Sequence, residues 1–600
     1  MSADAHPVAS AIEAARAWRE QDPDATTRAE LDALIEAALA GTAGEAALAE
    51  RFTGRLEFGT AGLRGELGAG PTRMNRVLVA QAAAGLAAHL LARPASPADR
   101  RPVSADATAA ASTETGRHGD EGPRAGRPSV VIGYDGRTNS AVFARDTAEV
   151  MAGAGIRTVL LPRPLPTPVL AFAVRHLDAD AGVMVTASHN PARDNGYKVY
   201  LGGADAGSQI VPPADAAIAE RIARVARGDI RELPRSGDYA IAEESLVAAY
   251  VAAAAAAGRA GPAEPAGSGT AASGTAPRFV YTAMHGVGFE TARRVFAAAG
   301  LGEPLVVAEQ RDPDPAFPTV AFPNPEESGA LDLAIALAER EGAELVIAND
   351  PDADRLAVAI PDVAGWRRLS GNEVGAVLGW AAARALHDRG ERRALAASIV
   401  SSPVLLEIAE SYDLPFQATL TGFKWISRVP GLGFGFEEAL GYLVNPDDIR
   451  DKDGISAAAA FLRLAAVLRA RGESLAEHLR DLDGTFGAFA SAQLSIRVAE
   501  LARIGELMTG LRTAAPARIG RVRVLRLDDF AEGVDGFPPT DILRFRLEHG
   551  ARVIVRPSGT EPKLKIYVDA SSSEGSVDDR RHAARSLVDE LERGMRALLV

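Results

Sequence analysis

Short apolar runs along the chain alternate with polar turns and with stretches of helical spacing. Ser129 to Tyr134 is an apolar run, Val142 to Ala152 has helical spacing, and Thr158 to Leu161 is apolar again. This order predicts strand–helix–strand units around a mainly parallel sheet. Further strands of this kind are predicted at later apolar runs, which are Ala181 to Val185, Arg278 to Met284, Glu344 to Ala348 and Ala397 to Val400.

The pattern changes in the last part of the chain, from Ser491 to Val600. Several strand-like apolar runs there follow one another, and a helix is predicted at the end, from Asp578 to Leu599. This order is typical of an α+β domain. The predicted strands are Val522 to Leu527, Ile542 to Leu547, Val553 to Val555 and Leu564 to Val568.

A chain of 600 residues is too long for one hydrophobic core, so several domains are expected. Two stretches, at about residues 93–128 and 258–277, are rich in Pro, Ser, Thr, Ala and Gly and have no apolar periodicity. They cannot bury enough apolar surface to offset their ordering entropy, so we expect mobile surface insertions. The predicted organisation is a helical segment at 1–50, three α/β domains at 51–240, 241–365 and 366–490, and an α+β domain at 491–600.

Composition narrows the class of protein. The chain has 65 Lys and Arg against 79 Asp and Glu and no long basic run, so we expect no nucleic-acid partner. The absence of cysteine excludes disulfides, thiolate catalysis and cysteine-based metal sites. No apolar segment is typical of a signal peptide or long enough to span a bilayer, so we expect a cytoplasmic protein without a membrane partner. The oligomeric state stays open.

A serine lies where a predicted strand ends, in the segment Thr186 to Pro191 (TASHNP). A serine at such a position is often only a turn or cap residue. Two other polar loops between apolar runs favour a chemical role, Asp350 to Arg355 (DPDADR) and Arg556 to Lys563 (RPSGTEPK). A hydroxyl, a carboxylate triplet and a cationic loop are the parts that a phosphoryl-transfer site needs, so Ser188 is interpreted as a phosphoserine.

The aspartates Asp350, Asp352 and Asp354 alternate with small residues, so their carboxylates can converge on a hard divalent cation. A calcium EF-hand begins similarly, but here Arg355 and Pro361 stand where that loop needs Gly and Glu, and both flanks are strand-like. The alternative is an exposed acidic turn. Mg²⁺ is the favoured cation, because it accepts few protein oxygens and leaves room for a phosphate.

Three further loops could hold a sugar phosphate. Arg556 can bind phosphate oxygens while Ser558, the Gly559 backbone and Thr560 donate neutral hydrogen bonds, although a simple hairpin turn fits the same residues. The segment Thr421 to Lys424 offers a hydroxyl and a cation. The segment Glu437 to Tyr442 offers carboxylates that could accept sugar hydroxyls, with a solvated turn as the alternative.

With these motifs the chain resembles the α-D-phosphohexomutases, the family of phosphoglucomutases and phosphomannomutases. The resemblance extends over nearly the whole chain and is closest to the branch that includes phosphopentomutase activity. Its motifs, in order, are FGTAGLRG (58–65), TASHNP (186–191), DNGYK (194–198), DPDADR (350–355), TGFKW (421–425), FEEALGY (436–442), DKDG (451–454) and RPSGTEPK (556–563).

The resemblance implies an α/β fold with four domains around a central cleft, three with mixed, mainly parallel sheets and the last a smaller α+β cap. It implies an isomerase that interconverts the 1-phosphate and 6-phosphate of glucose or mannose. The reaction would pass through a phosphoserine enzyme and a bisphosphorylated sugar, with Mg²⁺ as cofactor and a sugar bisphosphate as activator. Small sugar phosphates would be its partners.

The resemblance also implies residue roles. The catalytic residues would be Ser188, His189, Lys198, Arg64 and Arg355, with Lys198 or His189 as the general base. The metal would be held by the phosphate on Ser188 and by Asp350, Asp352 and Asp354. The substrate-binding residues would be Thr421, Lys424, Glu437 and Lys452 for the sugar, and Arg556, Ser558, Gly559, Thr560 and Lys563 for the phosphate that does not react.

One difference from the motifs of the family leaves the identity of the sugar substrate undecided. Many glucose and mannose enzymes of the family have a serine two residues after the sugar-binding glutamate, whereas Ala439 follows Glu437 at that distance here. Ribose or deoxyribose phosphate therefore remains an alternative substrate.

Three other activities compete with the mutase interpretation. A serine hydrolase is disfavoured because His189 adjoins Ser188 and would point away from it in an extended chain, and no G-x-S-x-G motif surrounds the serine. A Mg²⁺-dependent phosphatase remains an alternative, because the same residues would hydrolyse the phosphoserine if water entered. A non-catalytic sensor would be expected to lack the nucleophile or a metal ligand.

Overall fold

The computed structural model describes residues 5–93, 126–259, 276–498, 502–558 and 563–599. Four β-sheets follow one another along these residues. The two predicted surface insertions lie almost wholly outside the described residues, and so do Gly559 and Thr560. Within the described ranges, no helix is both long and apolar enough to cross a membrane.

Three helices precede the first sheet. Their buried side chains, among them Trp18, Leu31 and Leu48, belong to the same hydrophobic core as that sheet, so the segment is part of the first domain's packing. Asp24 begins the second helix by accepting a hydrogen bond from the Thr26 amide at 2.9 Å, which satisfies one of its free N–H groups. The helices are α1 (Ala5–Gln21), α2 (Ala25–Ala40) and α3 (Thr42–Phe52).

The first sheet has the strand order β1-β5-β4-β2-β3-β7, with β6 paired to β5. Its centre, β4-β2-β3-β7, is parallel, and β1, β5 and β6 run antiparallel to their neighbours. Its elements are β1 (Leu63–Glu66), α4 (Arg76–Ala92), β2 (Ser129–Tyr134), α5 (Ser140–Gly153), β3 (Arg157–Leu160), α6 (Thr167–His176), β4 (Ala181–Val185), β5 (Asp194–Leu201), β6 (Ser208–Gln209), α7 (Ala214–Val225) and β7 (Ala240–Ile241).

The second sheet has the order β12-β11-β10-β8-β9, parallel from β10 to β9 and antiparallel at β11 and β12. The aspartate motif fills the connection between β10 and β11, so both of its flanks are strands, as the sequence predicts. The elements are α8 (Glu244–Arg259), β8 (Phe279–Thr282), α9 (Gly288–Ala298), β9 (Leu305–Val306), α10 (Asp332–Glu341), β10 (Leu345–Asn349), β11 (Leu356–Asp362) and β12 (Gly365–Arg368).

The third sheet has the order β14-β13-β15-β16, with an antiparallel edge at β16. The strand predicted to run to Val400 ends at Ser398, because Ile399 and Val400 leave the sheet and are buried against the fourth domain. The elements are α11 (Gly371–Asp388), β13 (Ala394–Ser398), α12 (Val404–Ser411), β14 (Phe416–Thr419), α13 (Phe423–Ile426), β15 (Leu432–Glu437), β16 (Gly441–Leu443), α14 (Gly454–Ala470) and α15 (Leu475–Phe486).

The fourth sheet, in the order β17-β22-β21-β20-β19-β18, is antiparallel throughout, as an α+β domain requires. The apolar face of α17 covers it with Val588, Leu591 and Met595. The predicted fold class is therefore confirmed. The elements are β17 (Ala488–Arg497), α16 (Ala502–Thr513), β18 (Arg518–Ile519), β19 (Val522–Asp529), β20 (Leu543–Leu547), β21 (Arg552–Pro557), β22 (Lys563–Ser572) and α17 (Val577–Leu599).

Candidate active site

Ser188 lies three residues beyond the fully buried central strand β4, and its side chain faces the second domain. Its backbone has a φ of 51°, in the left-handed region that non-glycine residues rarely adopt. Its hydroxyl donates a hydrogen bond to Asp350 Oδ2 at 2.7 Å and lies 3.2 Å from His189 Nδ1. The expectation that His189 points away from Ser188 is wrong, because the chain is turned here and not extended.

His189 is enclosed together with the hydroxyl. Burial and the positive charges of Arg355 and Arg64 hold the pKa of His189 well below its usual value. The imidazole is therefore neutral near pH 7 and is a weaker base than an ordinary histidine.

The three aspartates of the β10–β11 connection converge. Asp350, Asp352 and Asp354 are at most 1% exposed, and each offers an oxygen within 4.8 Å of the others. Asp352 Oδ1 and Asp354 Oδ1 are buried without a hydrogen-bond partner in the part of the chain that the structure describes. Burial and the charges of Asp352 and Asp354 raise the pKa of Asp350 well above its ordinary value. Such buried, converging oxygens fit a hard cation, and an exposed acidic turn is excluded.

Cationic side chains from different strands and loops surround the aspartates. Lys198 of β5 places Nζ 2.7 Å from Asp352 Oδ2 and 2.9 Å from Asp354 Oδ2. Lys452 Nζ lies 3.3 Å from Asp354 Oδ2, and Arg355 Nε lies 3.9 Å from Asp354 Oδ1. Burial alone would lower the pKa of Lys198, but the carboxylates outweigh it and raise the pKa. The direction is opposite to the one that a general base needs.

Arg64 reaches the same place through an antiparallel strand pair. In β1 it is the register partner of Gly196 in β5, and its Nη1 donates to Asn190 Oδ1 at 3.3 Å. The close approach of the chain before β1 to strand β5 requires glycine at position 62. There φ is 75°, and a Cβ would lie 1.8 Å from the Tyr197 carbonyl oxygen. The FGTAGLRG motif thus owes part of its composition to close backbone contact.

Glu437 and Lys452 lie side by side in the third domain. A Cβ added to Gly441 would come within 2.9 Å of Glu437 Cγ and 2.4 Å of Lys452 Cδ. Burial raises the pKa of Glu437, while the charge of Lys452 opposes this shift. The neighbouring Glu438 is engaged elsewhere, because it accepts hydrogen bonds from Ser398 Oγ at 3.0 Å and Ser401 Oγ at 2.9 Å.

The segment containing Thr421 and Lys424 approaches the first domain. Thr421 lies just before α13, and Lys424 within that helix donates to Thr60 Oγ1 of the FGTAGLRG motif. Burial lowers the pKa of Lys424, and the charge of Arg556 acts in the same direction.

The C-terminal loop begins at the end of β21 and is closed by a hydrogen bond from the Ser558 amide to the Lys563 carbonyl at 2.9 Å. The Arg556 guanidinium carbon lies 6.0 Å from the ring centroid of Tyr567. Lys563 begins β22. The structure thus presents Arg556, Ser558 and Lys563 on one hairpin, and the predictions for Gly559 and Thr560 stay predictions.

Sequence reasoning missed two tyrosines that hold the DKDG motif. Tyr200 of β5 donates to Asp451 Oδ2 at 2.8 Å, and Tyr250 of α8 donates to Asp453 Oδ1 at 3.0 Å. Both tyrosines are fully buried, and a buried tyrosine hydroxyl needs a partner. In the sequence, the apolar residues around the two tyrosines indicate that they are buried. They do not indicate which residues accept the tyrosine hydrogen bonds. Lys452 is therefore fixed from two other domains.

Comparison with known proteins gives the family of the chain. Four family models match the chain: the phosphoglucomutase/phosphomannomutase alpha/beta/alpha domains I (residues 99–228), II (265–365) and III (370–484) and the C-terminal domain (496–586). A "Probable phosphomannomutase" of Haemophilus influenzae is 50% identical over 88% of this chain and 98% of its own. A "Phosphopentomutase" of Mus musculus is 33% identical over 90% of this chain and 87% of its own.

The fold has counterparts among solved structures. A putative phosphomannomutase from Thermus thermophilus has a TM-score of 0.63 at 24% identity, covering 91% of this chain and 99% of its own. The chain belongs to the phosphoglucomutase/phosphomannomutase family. It is thus a mutase, an isomerase that moves a phosphoryl group within a sugar phosphate.

Proposed function

We propose that the protein interconverts the 1-phosphate and 6-phosphate of mannose or glucose, with Ser188 as the carrier of the phosphoryl group. The observation that supports this most is the 2.7 Å hydrogen bond from Ser188 Oγ to Asp350 within the buried carboxylates. The first domain supplies the nucleophile and the second supplies the charges. A phosphoryl group on Ser188 would lie between them.

The carboxylates fit Mg²⁺, since Asp352 Oδ1 and Asp354 Oδ1 are buried oxygens without hydrogen-bond partners in the described chain. We propose that Asp350, Asp352 and Asp354 hold the ion together with the phosphate on Ser188. Bound there, Mg²⁺ would neutralise charge on the transferring group.

The cations Arg64, Lys198 and Arg355 would surround the transferring phosphoryl group and compensate its negative charge. Of the two acid–base candidates, His189 is neutral and lies 3.2 Å from the Ser188 hydroxyl. Lys198 keeps its proton beside Asp352 and Asp354. We therefore propose Lys198 for charge compensation and His189, whose Nδ1 adjoins Ser188 Oγ, for orienting the serine hydroxyl that donates to Asp350.

The third and fourth domains would bind the rest of the substrate. Glu437 and Lys452, with Thr421 and Lys424, would contact the sugar hydroxyls. The non-reacting phosphate would be held by Arg556, Ser558, Gly559, Thr560 and Lys563. Because the two phosphate positions exchange during the reaction, the bisphosphorylated sugar would turn around within the cleft, and the same sugar bisphosphate would phosphorylate Ser188 at the start.

A phosphopentomutase is the second candidate. Ala439 removes the hydroxyl that many hexose enzymes of the family have at this position, and the Mus musculus relative is named a phosphopentomutase. The Haemophilus influenzae relative at 50% identity favours the hexose. We also keep the predictions of a cytoplasmic location and of no nucleic-acid or membrane partner.

A coupled assay tests the proposal. Purified protein with Mg²⁺ and a catalytic amount of sugar bisphosphate is given mannose 1-phosphate, glucose 1-phosphate or ribose 1-phosphate, and isomerised product and free phosphate are measured together. We expect isomerisation of a hexose phosphate with little phosphate release. Stoichiometric phosphate release would indicate a phosphatase, faster turnover of ribose 1-phosphate a phosphopentomutase, and no turnover with any sugar a sensor.

A further inference from the structure

Arg137 lies beneath the loop that carries Ser188, although no motif in the sequence points to it. Its Nη1 donates to the carbonyl oxygens of Pro191 and Asp194 at 2.8 and 3.1 Å. Its Nη2 donates to those of Ser188 and Asn190 at 2.5 and 2.6 Å. One guanidinium thus binds the backbone of the whole serine loop, residues 186–194.

Asp135 compensates the charge of Arg137 inside the protein. The Arg137 side chain is 1% exposed, and its Nε lies 3.4 Å from Asp135 Oδ2. Asp135 is held in turn by the Ser140 hydroxyl at 2.6 Å and by the Arg137 amide at 3.0 Å. A buried ion pair is expensive to desolvate and adds little net stability, whereas it can fix a particular geometry. This arrangement favours a positioning role.

The second domain covers the guanidinium from the opposite side. The Phe317 ring centroid lies 4.9 Å from Arg137 Cζ, and the Phe322 ring lies 6.4 Å from that of His189. Gly136 also packs closely against the second domain, because a Cβ added at Gly136 would lie 2.7 Å from Pro313 Cβ. Residues 313–322 therefore close over the guanidinium and leave it little freedom to move.

We propose that Arg137 is a positioning residue for the phosphoryl carrier. By binding the Ser188 carbonyl it holds the backbone at the φ of 51° that directs the hydroxyl to Asp350, and Phe317 keeps the guanidinium in that orientation. Lysine cannot replace it, because an ammonium cannot bind four carbonyls arranged around a planar fork. The inference rests on the proposed role of Ser188.

The test compares Arg137→Lys and Arg137→Met with Arg145→Met, a control at an exposed arginine of α5. Steady-state kinetics, the rate of Ser188 phosphorylation by the sugar bisphosphate that phosphorylates the wild type, and thermal unfolding are measured. A misplacement near 1 Å costs on the order of 100-fold in rate. We expect a loss of about that size in kcat and in phosphorylation for both Arg137 variants, with KM within about 3-fold because the sugar contacts are elsewhere. Arg145→Met should behave as wild type.

Chemical rescue separates positioning from a general structural role. In Arg137→Gly, guanidinium at low millimolar concentration should restore part of kcat, whereas ammonium and urea at the same concentration should not. Near-normal kcat in Arg137→Lys, or a loss confined to KM, would overturn the proposal, as would a folded Arg137→Gly that guanidinium does not rescue.

If the Arg137 variants do not fold, the Phe317→Leu variant tests the proposal instead. It keeps all four hydrogen bonds and removes only the aromatic cover, so kcat and the phosphorylation rate should fall by about 3- to 10-fold at constant KM, and an unchanged kcat would count against the proposal. Failure of the proposed function gives a different result, since wild-type protein would then carry no phosphate on Ser188.

Discussion

The two loops proposed to hold phosphates are built in contrasting ways. One buried arginine, Arg137, donates hydrogen bonds to the backbone of the serine loop, and side chains of the second domain cover this arginine. The C-terminal loop lies at the end of a hairpin in an antiparallel sheet and is closed by its own backbone. The loop proposed to perform chemistry is thus fixed by hydrogen bonds within the first domain and covered by the second, whereas the loop proposed to anchor the distant phosphate is carried by a separate domain.

The fourth domain meets the third through both apolar and polar contacts. Ile399 and Val400 of the third domain pack against residues of the fourth that include Phe530 and Tyr567. Arg552 donates to the Ser401 carbonyl, Arg580 of α17 donates to the Gly484 carbonyl at 2.9 Å, and Arg480 of α15 pairs with Asp578. Apolar contact is non-directional and tolerates small displacements, whereas hydrogen bonds to carbonyls do not. The apolar part of the junction therefore tolerates displacement, whereas its hydrogen bonds restrict it, as those of Arg137 restrict the serine loop.

The largest expected effect is at the nucleophile. Ser188→Ala should lower kcat on the order of 10⁴-fold or more while sugar-phosphate binding and the fold persist, because the small hydroxyl contributes little to the core. Kinetics and intact-mass analysis check this, with phosphate expected on the wild type only. Ser411→Ala, at an exposed serine, is the matched control. Near-normal activity of Ser188→Ala would refute the assignment.

Metal removal comes next. Asp352→Asn should lower kcat about 10²- to 10⁴-fold, as a chelator should, because each weakens the charge compensation of the transferring group. Mg²⁺ should restore the chelated wild type, and Ca²⁺ should bind but support little turnover. Asp413→Asn, at an exposed site where φ is 53°, serves as the control. Full activity in excess chelator would contradict the metal site.

On the anchoring side, Arg556→Ala removes a contact worth on the order of 1.5–3 kcal/mol. That free energy corresponds to about a 10- to 150-fold loss in kcat/KM, with KM rising and kcat falling as well, since remote binding energy also positions the sugar. Mg²⁺ affinity should not change. Steady-state kinetics and metal titration check this against Arg503→Ala, an exposed arginine of the same domain. An unchanged KM would exclude this loop as the phosphate site.

A smaller effect is expected at the junction itself. Ile399→Ala should destabilise the packing of the fourth domain by about 2–4 kcal/mol, since Ile399 is 2% exposed. We expect a lower unfolding midpoint and a several-fold rise in KM, with kcat and Ser188 phosphorylation by bisphosphate less affected. Val363→Ala, at a fully exposed site, should change neither. A loss confined to kcat would show that the junction controls chemistry instead.

The smallest expected effect sharpens substrate choice. Ala439→Ser would add the hydroxyl found in many hexose enzymes of the family, two residues after Glu437, which we propose contacts the sugar. We expect the ratio of kcat/KM for mannose 1-phosphate over ribose 1-phosphate to rise by about 3- to 10-fold, the range of one hydrogen bond. Competition between the two sugars in one reaction measures this ratio directly. An unchanged ratio would place sugar selection elsewhere.

The sequence predicted the elements of this site better than the contacts between them. Strand β4, the aspartate loop and the hairpin of Arg556 follow from local alternation and turn residues. The position of His189 did not follow, because a left-handed φ at a non-glycine residue leaves no trace in hydrophobic periodicity. Arg137, Tyr200 and Tyr250 were missed because each acts on a segment far away in the chain.

The DKDG motif has a consequence for how the protein matures. In the folded chain, the residues on either side of Lys452 accept hydrogen bonds from Tyr200 of the first domain and Tyr250 of α8. If Lys452 binds the sugar as proposed, the sugar site is complete only in the fully assembled chain, and turnover should be the last property regained during refolding.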